Sequence, residues 1–325
     1  MTIKDQLYGI LEENRGKFIS GEDIAKQLYC TRGAVWKAIK ALKEEGFEIS
    51  AVTNRGYCLN EGSDILSEAG IKRYLSNNRG IIVLKTTTST NKYLRELAQE
   101  GAEEGTLVVS GEQTDGYGRR KRSFFSPPDT GLYMSILLRP NFSAQDAVKI
   151  TAAGAVSVCN AIEKVIGITT NIKWVNDIYV NGKKTAGILT EAVLNIENGL
   201  LDYTVMGIGI NVYKPKNGFP YELSDIAGAL INERTTDVNI RNRLAAEIYG
   251  NFMELYGKLP ECVYLDEYRK RLMWQGERIV ILSGTDGKTE TPAVLLGTDE
   301  NCALRVRYDN GNEDTLSSGE ISISK

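Results

Sequence analysis

Between Asp115 and Pro127 the chain reads DGYGRRKRSFFSP, which sets Gly116 and Gly118 beside Arg119, Arg120, Lys121 and Arg122 and follows them with two phenylalanines. Glycine lets backbone N–H groups approach an anion closely, and arginine supplies a planar fork of permanent positive charge. Such residues at this spacing either cradle phosphate or carboxylate oxygens, or form a solvated basic loop with weak affinity for nucleic acid. The chain contains no histidine. That removes Ser-His-Asp and Cys-His catalysis, HExxH zinc sites and histidine proton shuttles together. Arginine, lysine, carboxylates, backbone amides and a magnesium ion remain. These suit phosphate-centred reactions, where fixed positive charge matters more than a base titrating near neutrality.

The elements that position these groups are bounded first by length and charge. At 325 residues the chain should hold two or three units with a real core. A formal net charge of -3 argues against wholesale affinity for nucleic acid or membrane, so any DNA contact must be regional. The five cysteines are scattered without a CxxC, which fits a reducing compartment rather than a disulfide or zinc framework. No apolar run approaches about 18 residues, and MTIKDQLYGI is polar; the expectation is a cytoplasmic protein with no membrane partner.

Residues 1–60 predict three short helices and a hairpin. Leu7, Ile10 and Leu11 recur at helical spacing, and Ser20 with Asp23 signals a capped second helix. Thr31 is a good N-cap for a third, whose Val35, Ala38, Ile39 and Leu42 share one face. Gly33, Trp36, Lys37 and Lys40 fall on the opposite face, read as basic and free of acid. EISAVTNRGYCLN then turns at Asn54, Arg55 and Gly56, as a two-stranded wing would. This is a winged helix-turn-helix pattern, expected to bind DNA through Thr31, Arg32, Trp36, Lys37, Lys40 and Arg55; protein contact by the same module is the alternative.

From about Leu66 to Arg271 helical patterns alternate with strands that come as hairpins. Turns are marked at Asn181-Gly182 and Asn198-Gly199, which predicts an α+β domain with a mixed, largely antiparallel sheet. ERIVILSG, AVLLGT, ALRVRYD and EISIS predict a small C-terminal β-barrel. The expected domains are 1–63, 64–271 and 272–325. GTDGKT at Gly284–Thr289 lacks the glycine spacing of a P-loop and reads as a turn, and GYGRRK departs from GxGxxG at Lys121.

The motifs that hold are dispersed: TTTSTN at Thr86–Asn91, EQTDGYGRRKR at Glu112–Arg122, KWVND at Lys173–Asp177, KKTAGIL at Lys183–Leu189 and GIGINV at Gly207–Val212. In this order after a winged helix, they resemble the biotin protein ligases, and specifically the bifunctional ligases that also repress biotin genes. The resemblance spans essentially the whole chain and implies an SH3-like C-terminal barrel. It implies ATP and biotin as substrates, with Mg2+ accompanying ATP, and biotinoyl-5'-AMP as intermediate. It further implies transfer to a lysine of a biotin carboxyl carrier protein (an acetyl-CoA carboxylase subunit or a pyruvate carboxylase domain), operator DNA as a second partner, and a homodimer when the adenylate is bound.

By the same resemblance Ser89, Thr90, Asn91 and Gln113 meet the biotin head group, and Tyr117, Gly118 and Arg119 belong to its site. Gly116, Arg119, Arg120, Arg122, Asn176, Asp177 and Asn211 belong to the ATP site, with Lys184 bridging the biotin carboxylate and the α-phosphate. Lys184 and Arg119 are the implied catalytic pair; no residue is implied as a dedicated metal ligand. Several of these carry plainer readings. TSTN can be a helix N-cap, Asn176-Asp177 an Asx-turn, Gly207 and Gly209 a device for close strand packing, and Arg120 and Arg122 can face water. The family pattern GRGRRGR has arginine where this chain has Tyr117 and glycine where it has Lys121. A ligand-sensing transcription factor without chemistry, and a lipoate-ligase-like enzyme, are the competing functions.

Overall fold

The computed structural model describes residues 2–61, 64–75, 80–140, 147–194, 201–233, 239–283, 289–317 and 322–324. The chain divides into two compact units, Met1–Asn78 with Arg234–Ala246, and Arg79–Glu233 with Glu247–Lys325.

In the first unit, α1 (Ile3–Glu13), α2 (Gly21–Gln27) and α3 (Arg32–Glu44) are followed by β1 (Ile49–Val52), β2 (Gly56–Leu59) and α4 (Glu68–Lys72). Each helix starts where a short polar side chain can satisfy its orphan N–H groups. Thr2 and Asp5 form a reciprocal capping box, Ser20 accepts from Asp23 N at 3.0 Å, and Thr31 accepts from Ala34 N at 3.2 Å. The apolar faces meet in a core of Leu7, Tyr8, Leu11, Ile24, Val35, Ile39, Leu42 and Phe47. The β1–β2 turn needs its glycine: Gly56 has φ +95, and a Cβ there would lie 2.0 Å from the Ile19 carbonyl oxygen. The start of α7 (Ile240–Gly257) completes this unit. Asn242 accepts from Ser67 N at 3.0 Å and donates to Ile65 O at 2.7 Å, while Arg241 pairs with Asp64.

The second unit is built on a seven-stranded sheet of order β3-β4-β5-β9-β8-β7-β6. Its strands are β3 (Ile81–Leu84), β4 (Leu107–Ser110), β5 (Gly131–Leu138), β6 (Asn171–Lys173), β7 (Asp177–Val180), β8 (Lys183–Leu194) and β9 (Leu201–Asn211). β3 and β4 pair in parallel and every other neighbour is antiparallel. α5 (Thr90–Gln99) and α6 (Ala147–Ile166) pack on the sheet; Gly154 of α6 comes so close to β9 that a Cβ would lie 2.6 Å from the Met206 sulfur. Asn181 (φ 49) and Gly182 (φ 75) make the tight β7–β8 turn. The second marked turn, Asn198-Gly199, lies outside the described residues, as do residues 284–288 of GTDGKT.

α8 (Leu265–Arg271) leads to a five-stranded antiparallel sheet of β10 (Arg278–Ser283), β11 (Thr289–Thr298), β12 (Leu304–Tyr308), β13 (Glu313–Leu316) and β14 (Ser322–Ser324), in the order β13-β12-β11-β10-β14. Among the described residues this sheet is open, with β13 and β14 as edges, so the expected barrel is not closed by strand pairing. α8 and β13 are elements the sequence patterns do not reveal, both being short and largely charged. The Trp174 indole donates to Cys302 O at 2.9 Å and Arg269 to Thr298 O at 3.1 Å, tying this sheet to β6 and α8. Among the described residues no helix is long and apolar enough to cross a membrane.

Candidate active site

A cavity of about 160 Å3 opens on the seven-stranded sheet, and twelve of the residues singled out above line it: Ser89, Thr90, Asn91, Gln113, Tyr117, Gly118, Arg119, Arg120, Arg122, Asn176, Asp177 and Lys184. Most of them belong to a neutral group or a charged one.

The first group is neutral and hydrogen-bonding. Ser89 stands at the N-cap of α5 without making a capping bond. Thr90 N–H donates to Gln113 Oε1 at 2.9 Å, and Gln113 Nε2 donates to Ser126 at 3.2 Å. The Ser135 hydroxyl donates to Asn91 Oδ1 at 2.6 Å and lies 2.8 Å from Thr90 Oγ1. Thr90 and Asn91 are each 4% exposed, so this ordering is needed to offset their burial. Gly207 leaves the room Asn91 occupies: a Cβ there would lie 2.2 Å from Asn91 Oδ1. Gly209 does the same for Phe124, at 2.6 Å from its ring. The close-packing reading of GIGINV thus describes these two glycines.

The second group is charged. The KWVND segment forms a turn between β6 and β7, where Asn176 Nδ2 donates to Ile188 O at 2.9 Å and Asn176 Oδ1 accepts from Arg119 at 3.4 Å. Lys184 Nζ lies 2.6 Å from Asp177 Oδ1, an ion pair without good hydrogen-bond angles. Neighbouring Lys183 turns away, donating to the Ser224 and Asp225 carbonyls. Burial lowers the Arg119 pKa, Asp177 opposing and Arg120 adding to the shift. Lys173, in the quoted motif but not assigned a role from it, is lowered by burial; Asp177 opposes, while Lys184 and Arg122 push the same way as burial. Asp177 thus acts on Arg119, Lys173 and Lys184 together.

Tyr117 stands in the loop two residues before Arg119. Its hydroxyl donates to Glu191 Oε2 at 2.9 Å, and Lys92 sits 5.5 Å from its ring centroid. Burial, then the Glu191 bond and charge, push its pKa up to about 12; Arg95 and Ser89 act in the other direction. Downstream, Arg120 and Lys121 both adopt left-handed φ, 57 and 54. Lys121 thus holds a conformation a glycine adopts without strain.

Two of the named residues do not line the cavity. Gly116 lies behind the wall, where a Cβ would come within 2.8 Å of both Gln113 Nε2 and Ser126 Oγ. Asn211 turns away and donates to Gly228 O at 3.1 Å. The sequence reading missed Lys173, Ser135 and Glu191. Lone polar residues in apolar strand runs carry no local signal of the partners the sheet gives them. Among the described residues no cluster of three His, Cys, Asp or Glu side chains could hold a metal.

In the first unit, Thr31, Arg32, Trp36, Lys37, Lys40 and Arg55 are all exposed. Lys40 Nζ lies 5.9 Å from the Trp36 ring centroid, and the Arg55 guanidinium 4.3 Å from that of Phe18. Glu44 continues the same helix face and lies 3.8 Å from Lys40, so the face is not free of acid. Tyr29, in the turn before α3, is 97% exposed.

The chain matches the Biotin/lipoate A/B protein ligase family over residues 83–211 and an HTH domain over residues 4–58. It is 42% identical to the bifunctional ligase/repressor BirA of Bacillus subtilis (strain 168), over 70% of this chain and 71% of that one. It is 28% identical to the protein of the same description from Escherichia coli (strain K12), over 95% and 94%. A solved biotin protein ligase from Aquifex aeolicus, in complex with biotin and ATP, superposes with a TM-score of 0.60 at 26% identity, covering 76% of this chain and 99% of that one. The chain belongs to the biotin protein ligase family, in the bifunctional ligase/repressor form whose catalytic domain follows an N-terminal helix-turn-helix.

Proposed function

We propose that the second unit joins biotin to ATP as biotinoyl-5'-AMP and then passes biotin to one lysine of a biotin carboxyl carrier protein. The observation that carries this reading is the pairing, around one cavity, of a neutral hydrogen-bonding group with the cations Arg119, Arg120, Arg122 and Lys184. A cyclic urea asks for ordered donors and acceptors such as Ser89, Thr90, Asn91 and Gln113. A carboxylate and an α-phosphate ask for fixed positive charge, from Lys184 and Arg119, with Arg120 and Arg122 beside them.

Biotin's carboxylate is ionised at pH 7 and needs no base. Its oxygen bonds the α-phosphorus as the bond to pyrophosphate breaks. Lys184 and Arg119 hold the reacting oxygens in line and meet the charge that develops. Magnesium brought with ATP would neutralise phosphate charge, with Asn176 and Asp177 the side chains suited to orient it through water. The carrier lysine's amine then attacks the acyl carbon and AMP leaves.

The winged helix would bind operator DNA through α3 and the β1–β2 turn, with the adenylate favouring a homodimer that reads two half-sites. The functional division is 1–63, 64–271 and 272–325, in a cytoplasmic protein. Labelled biotin and MgATP test the reading. Pyrophosphate should appear without carrier, and biotin should move to a single lysine when a carrier domain is added. Absence of biotin-dependent pyrophosphate release would leave a ligand-sensing regulator. Operator affinity unchanged by the adenylate would remove the regulatory half.

A further inference from the structure

We infer that Glu191 is a positioning residue that couples the biotin head-group site to the glycine-arginine loop. Glu191 lies on β8, two residues beyond the cavity-lining Leu189, and does not itself line the cavity. Its carboxylate gathers three side chains from two elements. It accepts from Asn91 Nδ2 of α5 at 2.7 Å and from the Tyr117 hydroxyl of the loop at 2.9 Å, and it lies 3.5 Å from Arg95 of α5.

Two consequences follow from this geometry. Asn91 is buried beside Ser135, whose hydroxyl donates to Asn91 Oδ1 at 2.6 Å. With Glu191 accepting on the amide nitrogen, both ends of the Asn91 amide are committed, and its orientation toward a ligand is set. The same carboxylate oxygen, Oε2, receives the phenol of Tyr117, the residue standing where the family pattern has arginine. The ring is covered by Lys92, which also pairs with Asp115 at the start of the loop. An arginine at 117 would face Lys92 and Arg95. A neutral phenol meets the carboxylate without adding to that positive charge, so in this chain the loop is latched to β8 by a hydroxyl. Displacing Asn91 and opening the loop therefore perturb one shared acceptor.

This inference rests on the ligase reading, and the experiment separates the two. Full-length Glu191→Ala, Glu191→Gln and Tyr117→Phe chains are assayed for the KM of biotin and of ATP, and for escape of preformed biotinoyl-adenylate in a chase. Glu191→Ala should raise the biotin KM about tenfold or more while moving the ATP KM less than about twofold, the scale of losing a buried hydrogen bond to a charged acceptor. Glu191→Gln, which keeps an acceptor oxygen, should recover most of that loss. A role confined to neutralising Arg95 predicts no rescue. Tyr117→Phe should speed adenylate escape about tenfold, and adding it to Glu191→Ala should speed escape no further. Biotin and ATP KM rising together, absence of rescue by glutamine, or multiplying effects of the two variants would each overturn the coupling. Variants indistinguishable from an active wild type would overturn it alone, whereas a wild type that forms no adenylate would overturn the ligase reading instead.

Discussion

Gly207→Ala adds a single methyl group at the point where β9 passes beneath Asn91. The new Cβ would lie 2.2 Å from Asn91 Oδ1, 2.8 Å from its Cγ and 3.0 Å from its Nδ2. That is roughly 1 Å or more inside ordinary contact. Asn91 has no easy retreat: it is 4% exposed and bonded to Ser135 at 2.6 Å and Glu191 at 2.7 Å. Overpacking of a dense interior costs about 1–3 kcal/mol, and a lost hydrogen bond to a charged partner is of the same size. We expect Gly207→Ala to destabilise the second unit by about 2–3 kcal/mol, read from urea unfolding. Biotin affinity should fall about tenfold or more, read by calorimetric titration. The double variant Asn91→Ala/Gly207→Ala should be more stable than the sum of its singles by about 1 kcal/mol or more, because the alanine at 91 removes the atoms that clash. Wild-type biotin affinity in Gly207→Ala, or strict additivity in the double variant, would refute the reasoning.

Lys184→Ala should keep the fold and slow single-turnover adenylation at least about 100-fold, the usual cost of removing one preorganised charge partner from an active site; a near-normal rate removes Lys184 from that role. Arg119→Gly should still form adenylate but release it faster, since the loop backbone survives while its half-buried guanidinium is lost, and labelling of unrelated lysines added to the reaction reports the escape. Tyr117 and Tyr179 are pushed up to about 12 from 10.0, mainly by burial. A folded pKa above the unfolded one favours the protonated phenol, so this contribution to stability is complete below pH 10 and is lost as pH rises toward 12. Urea midpoints should accordingly show no loss from these tyrosines between pH 7 and 9 and should fall above pH 10; a midpoint rising with pH above 10 would contradict this.

Much of this protein is legible without its structure because the signals are local. Thr31 ahead of an apolar face predicts α3, since the cap and the 3.6-residue period are properties of one segment. Asn181-Gly182 predicts the β7–β8 turn because few residues tolerate its positive φ. The missing histidine excludes whole mechanisms by arithmetic. The loop motif and KKTAGIL carry the family resemblance by their order, and Gly118, Arg119, Arg120, Arg122 and Lys184 from them line one cavity. The tertiary structure decided what depends on distant partners. Asn91 acquires its orientation from Ser135, 44 positions away, and from Glu191, 100 positions away, through a sheet whose strand order does not follow the chain. Asn211, two and four residues after the glycines that make room for the site, turns to Gly228 because it ends β9 where the 228–230 segment comes alongside. Lys173, Lys184 and Arg119 become one electrostatic unit because β6, β8 and the loop converge on Asp177. Shared charge of that kind belongs to an arrangement in space, and no window along the chain contains it.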